Sequence, residues 1–280
     1  MFLYYCIFLS LYLQDVIGGI SFVFLLLLSF IILLIVRMVL RKKSYKRKFT
    51  LATFVMLWLF CFEFLLILYE PNTHRVSFYL EPESVYVNSG ISLIGVNTVD
   101  LQNMESKKSV EELLSKQNLE FLDIHEITNL ELYGSKNRKI LEWLHLKKNS
   151  VERMRENVNQ YLGQEDVNIN EFLNREHTDA NSAELGLALT GLIIRGDLQN
   201  NLNFAVTGAI SKTGDVLKVG SIKEKIQIAD VSGFSYIIIP IENAEEVSNI
   251  QKEYSRNIQV FDVSHIDEAV KLINELNGKN

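Results

Sequence analysis

The stretch Asp179-Ala180-Asn181-Ser182-Ala183-Glu184, followed by Val206-Thr207-Gly208 and then Gly220-Ser221-Ile222-Lys223-Glu224-Lys225, decides how this 280-residue chain is read. Asn181 reads as a helix N-cap with Glu184 closing a capping-box-like pair, and Leu185, Leu189, Leu192 and Ile193 form the stripe that such a helix buries. Ser182 is then the first helical residue. Unpaired backbone N–H groups and the positive end of the helix dipole sit there, which is where an oxyanion is best stabilised. A plain helix-start serine is the commoner meaning of an Asn-Ser pair, so the chemical reading needs a partner for it.

Lys225 is that partner on helical phase. With Ser221 as cap and Glu224 as its box partner, Ile222, Lys225, Ile226 and Ala229 fall on one face, while Lys223, Gln227 and Asp230 fall on the other. An amine turned to the apolar side loses the solvation that favours its charge. Its pKa falls from about 10.4 toward neutrality, and the neutral amine takes a proton from a serine hydroxyl, so Lys225 is the candidate general base. The competing reading is a snorkelling lysine, stem on the core and head in water.

The pattern around these residues alternates. Asn203 to Ile210 reads as a strand, Lys212-Thr213-Gly214-Asp215 as a hairpin turn and Val216 to Val219 as its return. A helix from Ile222 to Val231 stops at Ser232-Gly233, Tyr236 to Pro240 is a buried strand, and helix Ala244 to Tyr254, strand Ile258 to Val263 and helix Ile266 to Leu276 follow, the last capped by Ser264. The expectation is a layered mixed domain of the α+β class.

In their order these residues resemble the proteolytic domain of the Lon peptidases. That family carries a serine in Asp-Gly-Pro-Ser-Ala-Gly, a downstream Thr-Gly and a lysine in Gly-Gly-Leu-Lys-Glu-Lys. The counterparts here are Asp179-Ala-Asn-Ser182-Ala-Glu184, Thr207-Gly208 and Gly220-Ser-Ile-Lys-Glu-Lys225, with Thr207 25 and Lys225 43 residues after Ser182. Tyr236-Ile-Ile-Ile-Pro240 and Glu242-Asn243 look like the family's hydrophobic strand and Pro-x-Glu-Asn turn. The resemblance covers about Asp166 to Leu276, within a segment 165–280 taken as the catalytic core. It implies a ribosomal S5 domain 2-like fold and hydrolysis of polypeptide substrates through an acyl-enzyme. It further implies Ser182 as nucleophile, Lys225 as base, Thr207 as the hydroxyl that orients the lysine and Asp179 as supporting acid. Assembly as a homo-hexamer is implied by the resemblance alone.

Three departures bear on activity, one of them Ser221 in place of a glycine of the Gly-Gly pair. Asn181 replaces the motif's proline and Glu184 its last glycine, putting a carboxylate two residues from the nucleophile. If Glu184 is ionised and faces the cleft it opposes the oxyanion; if it folds back on Asn181 it is harmless. A catalytically impaired domain serving as a membrane-tethered binding or assembly module is the alternative to a working enzyme. The chain contains no Gly-x-x-x-x-Gly-Lys-[Ser/Thr] stretch, so an ATP-independent peptidase is expected. His-Glu-x-x-His and Cys-x-x-Cys patterns are also missing, no cofactor or metal is called for, and His177 stands too near Ser182 for a Ser-His-Asp arrangement.

The N-terminal quarter is hydrophobic. Residues 1–15 are an apolar segment, interfacial or an extension of the next helix; 16–36 form an uncharged 21-residue run and 49–69 a second run with the single acid Glu63, each long enough to span a bilayer. Between them, 37–48 hold seven basic residues and no acid, which sets this loop in the cytoplasm and everything after Tyr69 outside it. The expected location is therefore the cell membrane, multi-pass, with an extracytoplasmic catalytic domain. After Tyr69 the chain has 21 basic against 32 acidic residues, about −11, so nucleic acid is excluded as a partner and the lipid bilayer is the expected one. Both cysteines, Cys6 and Cys61, lie in the hydrophobic segments. Residues 70–164 read as short Val- and Ile-rich strands and amphipathic helices; Gly95-Val96-Asn97 with Ser109 to Leu114 resembles a degenerate PDZ-like domain, the other reading being the first elements of a single domain.

Overall fold

The structure, a computed structural model, describes residues 2–14, 16–39, 43–68, 72–128, 131, 150–175, 181–253 and 258–278. It is a mixture of helix and sheet, as the α+β expectation has it. Two compact units divide the chain. The first comprises Met1–Arg75, Asp100–Leu113 and His125–Lys147, and the second Val76–Val99, Leu114–Ile124 and Lys148–Asn280.

In the first unit, three apolar helices cover Phe2–Leu13, Gly19–Val39 and Lys43–Leu68. Two of them are long and apolar enough to cross a membrane, by length and composition, over Gly19–Val39 and Tyr45–Leu66. The first helix is not an extension of the second. The chain breaks between them, and Tyr12 stacks on Phe22 with ring centroids 5.0 Å apart. The only acid of the second span is held rather than exposed, because Tyr5 Oη donates to Glu63 Oε1 at 2.5 Å. Phe24, Phe54, Trp58 and Leu65, by contrast, point outward and are exposed. A surface of that kind is unfavourable in water and suits hydrocarbon.

Strand β1 (Thr73–Phe78) lies between β3 (Asn97–Leu101) and β4 (Asp123–Ile127) in a three-stranded sheet. The sheet that organises the second unit is a different one. It has four strands in the order β2 (Ile91–Leu93), β5 (Phe204–Val206), β8 (Tyr236–Pro240) and β9 (Gln259–Val263), all parallel. Parallel strands need crossovers and cover on both faces; the inner strands β5 and β8 are correspondingly apolar, while the edge strands β2 and β9 carry Ser92, Gln259 and Asp262. Alternation along each strand sends Phe204, Val206 and Ile238 into one core, with helices Ser150–Leu162, Glu184–Arg195 and Ile266–Asn277. It sends Ala205, Ile237 and Ile239 into the other, with helices Ile222–Val231 and Ala244–Glu253. A short antiparallel hairpin, β6 (Ala209–Ile210) and β7 (Val216–Leu217), continues the chain after β5.

The expected helices and strands of residues 216–276 are present to within about two residues, but the single strand expected over Asn203 to Ile210 is two: β5 stays in the parallel sheet, and after Thr207-Gly208 the chain enters the separate hairpin as β6. Three caps are not as expected. Asn181–Ala183 is a 3-10 turn, so the α-helix begins at Glu184 and carries no side-chain cap. Ser221 has φ 54 and ψ 38 and its side chain caps nothing. The last helix is capped by His265 Nδ1, which accepts the Asp267 N–H, while Glu268 reaches back to the backbone and hydroxyl of Ser264. Helix Val167–Leu173, capped by Asp166, was not legible beforehand.

Candidate active site

The site is built where the turn Asn181–Ala183 meets the chain leaving β5. Gly208 N–H donates to the Ser182 carbonyl at 2.8 Å and Leu185 N–H donates to the Gly208 carbonyl at 3.0 Å, two rungs that fix the serine turn to the segment after Val206. Gly208 keeps this approach free of crowding. A Cβ there would lie 3.0 Å from Leu185 Cδ2 and 3.1 Å from its Cβ. Thr207 adds a third tie, its Oγ1 donating to the Ser182 carbonyl at 3.3 Å, while its own N–H continues the sheet to Ile238 O at 3.1 Å. Ser182 and Thr207 are both buried, at 5% and 0% exposure.

Lys225 lies on the Ile222–Val231 helix, on the face that the helical phase assigned to it. Ile222, Lys225, Ile226 and Ala229 are all buried, Lys225 at 4% exposure, and Lys223, Gln227 and Asp230 are half-buried. Desolvation pushes its amine down from the ordinary 10.5 to about 8, and the neighbouring Glu224 carboxylate opposes the shift without cancelling it. The start of this helix is fixed by Asn243, which is fully buried. Its Nδ2 donates to Val219 O at 3.0 Å and its Oδ1 accepts Val219 N–H at 3.1 Å; Glu242 accepts the Lys218 N–H beside it at 2.9 Å.

The structure thus ties Ser182 to Thr207 directly. Among the described residues no hydrogen bond joins Lys225 Nζ to either of them, and Thr207 Oγ1 keeps its lone pairs as acceptors. Asp179 and His177 lie outside the described residues. Glu184 takes neither of its two expected courses. It is 2% exposed, its Oε2 accepts the Ile210 N–H at 2.6 Å and its Oε1 accepts from Asn157 Nδ2 at 3.4 Å. Burial raises its carboxyl to about 7, against the stabilising pull of those two bonds and of Arg153. Asn157 was missed in the sequence. The available signal was a polar residue on the apolar stripe of its helix, three residues after Met154 and one before Val158.

Residues 177–275 match the Lon protease (S16) C-terminal proteolytic domain. This part of the chain is a Lon-type proteolytic domain. It is 41% identical over 85 residues to the Lon protease of Lawsonia intracellularis, covering 30% of this chain and 10% of that one. The Lon protease of Syntrophomonas wolfei is 34% identical over 87 residues, 31% of this chain and 10% of the relative. The archaeal Lon protease of Halobacterium salinarum is 35% identical over 92 residues, 33% and 13% respectively. The chain therefore spans about a tenth of the length of the curated relatives it matches. The shared stretch holds Ser182, Thr207 and Lys225 inside the Lon-type domain.

Proposed function

We propose that this chain is a membrane-anchored serine endopeptidase that works without ATP, with Ser182 as nucleophile and Lys225 as general base. The observation that carries the reading is the buried amine of Lys225, held low enough to be neutral in part near pH 8, within a domain whose family match supports serine peptidase activity. In this reading neutral Lys225 takes the Ser182 Oγ proton as the oxygen attacks a peptide carbonyl. The resulting ammonium protonates the leaving amine, and the acyl-enzyme is cleared by a water that Lys225 deprotonates. Thr207, already bound to the Ser182 carbonyl, accepts from the lysine and keeps it oriented. Asp179 supports the turn. With no phosphate-binding loop in the sequence to drive unfolding, the substrates are unstructured or loosely folded segments, of membrane or exported proteins.

The two apolar helices and the basic residues of 37–48, five of which lie on the facing ends of those helices, support anchoring with the Lon-type domain on the extracytoplasmic side. Hexamer formation follows only from the family likeness. The test is labelling of the detergent-solubilised chain with a serine-reactive fluorophosphonate, together with cleavage of an unfolded substrate. Wild type is expected to label and cleave, and both Ser182→Ala and Lys225→Ala to lose at least about a thousandfold in rate. Equal labelling of wild type and Ser182→Ala would sink the proposal and favour a non-catalytic binding module.

A further inference from the structure

The position at which this chain leaves the family motif is also the one whose side chain is most unusually placed. A glutamate at the start of a helix ordinarily stays in water or returns to the helix's own N–H groups. Glu184 does neither. It reaches across to the hairpin strand β6 and takes the Ile210 N–H, while Asn157 Nδ2 donates to the carbonyl of the same residue at 3.0 Å. Glu184 and Asn157 thereby occupy both backbone groups of Ile210. With Gly208 N–H to Ser182 O and Leu185 N–H to Gly208 O, the result is a ladder between the serine turn and residues 207–210, in which the last rung is a carboxylate in place of a backbone carbonyl.

We propose that Glu184 is a positioning residue that registers the Ser182 turn against the Thr207–Ile210 segment, and that protonating it slackens this register and slows acylation of Ser182. The inference rests on the peptidase reading for its rate consequence. Its structural part does not. A proton on Oε2 meets the Ile210 N–H, and a proton on Oε1 meets the longer contact from Asn157 Nδ2 and leaves Oε2 a neutral acceptor, so either site takes the charge out of the Ile210 bond. The loss is of a charge-assisted bond, about twice as strong as a neutral one. Thr207 precedes Gly208 in the same segment, so a loosened ladder displaces the threonine relative to the serine.

Among the charged groups around Glu184, Arg153 is the one that bears on its titration. Arg153, from the Asn157 helix, favours the carboxylate. On the same helix Glu156 is paired with Lys212 of the hairpin turn, where Asp215 is held by the Ser211 and Thr213 hydroxyls. From the Ile266–Asn277 helix, Glu268 is engaged by Ser264 and Asp267 by Tyr161. Strands β2 and β5 bring no charge, and the serine helix none other before Arg195. Burial raises the Glu184 carboxyl to about 7, below the Lys225 ammonium at about 8, so two separate ionisations control one site.

The experiment measures the acylation rate of the full chain in detergent by a fluorophosphonate from pH 5.5 to 9, beside the amide ¹⁵N shift of Ile210. Below pH 7 the wild-type rate is expected to fall more steeply than the roughly tenfold per pH unit of a single ionisation. Glu184→Gln keeps a neutral acceptor for Ile210 but sets its amide donors against Asn157, and is expected to follow the single ionisation of Lys225. Asn157→Ala removes a bond to the carboxylate and is expected to move the lower inflexion to higher pH, which a merely structural asparagine would not do. The Ile210 amide is expected to titrate near pH 7 in wild type and not in Glu184→Gln. An Ile210 amide without that titration, or a Glu184→Gln profile as steep as wild type, overturns the proposal. Wild-type protein that never labels, yet shows the Ile210 titration, overturns the peptidase reading and leaves the register intact.

Discussion

Lys225 and Glu184 are both buried against their electrostatic preference, and the pH dependence of stability follows from the direction of each shift. The Lys225 value is depressed, so its contribution to stability is full above its ordinary 10.5 and is lost as pH falls through about 8. The Glu184 value is raised, so its contribution is full below 4.5 and is lost as pH rises through about 7. At neutral pH both costs are present. Lys225→Met is therefore expected to be more stable than wild type by up to about 3 kcal/mol at pH 7, while losing labelling, with the gain shrinking between pH 8 and 10.5. Thermal melts of the two proteins across that range check it. Helical phase was enough to select Lys225 over Lys223, because the stripe Ile222, Ile226, Ala229 is unambiguous. The same phase would have placed Glu184 beside Leu187 and Ala188 on the buried side. The capping-box pattern outweighed it, since nothing local reveals that Ile210 offers an N–H.

Among the elements, the turn Ile241–Asn243 has the most leverage on the site. It holds Lys218 and Val219 by three hydrogen bonds to their backbone just before Gly220-Ser221, and Ser221 enters the helix from the left-handed region. Asn243→Ala leaves the Val219 N–H and carbonyl buried without partners. The expected loss is about 3 kcal/mol, together with a slower acylation rate, because the Lys225 helix is no longer fixed at its start. Denaturant midpoints and the labelling rate read the two effects separately. This clamp explains why Ser221 misled the reading of the sequence. Ser followed three residues later by Glu has the form of a capping box, but a residue at φ 54 cannot present its hydroxyl to the helix N–H groups, and the tertiary clamp fixes that φ. The strands were easier to read. Tyr236–Pro240 is apolar on both faces because both faces of the parallel sheet are covered, and its five-residue length excludes a helix of ordinary size.

On the scale of the whole molecule, the β2–β5 pairing depends on a single backbone conformation. Gly90, at φ +65, feeds β2 and accepts the Phe204 N–H, and a Cβ there would lie 2.1 Å from the Leu202 carbonyl oxygen. Gly90→Ala is expected to cost about 3 kcal/mol, from left-handed strain and from displaced backbone, and to unfold the Lon-type part at lower denaturant. The topology is tested separately. Protease added to intact cells is expected to digest the chain after Tyr69, and protection of that part would reverse the orientation. The composition shift that marks the spans was plain in the sequence, whereas the contribution of residues 91–93 to the Lon-type sheet was not, since no local pattern pairs a strand with one more than a hundred residues later.

That distant pairing also orders events during synthesis. Ile91–Leu93 leaves the ribosome long before Phe204–Val206, and the Ser182 turn precedes both the segment that anchors it and the helix that bears Lys225. Until β8 joins β5 and the 241–243 turn closes on Val219, the Ser182 turn and the helix that bears Lys225 are not held in their folded places. On the peptidase reading proposed above, newly made copies are inert toward themselves and toward other unfolded chains emerging nearby, and hydrolytic competence is acquired only as the last quarter of the polypeptide folds.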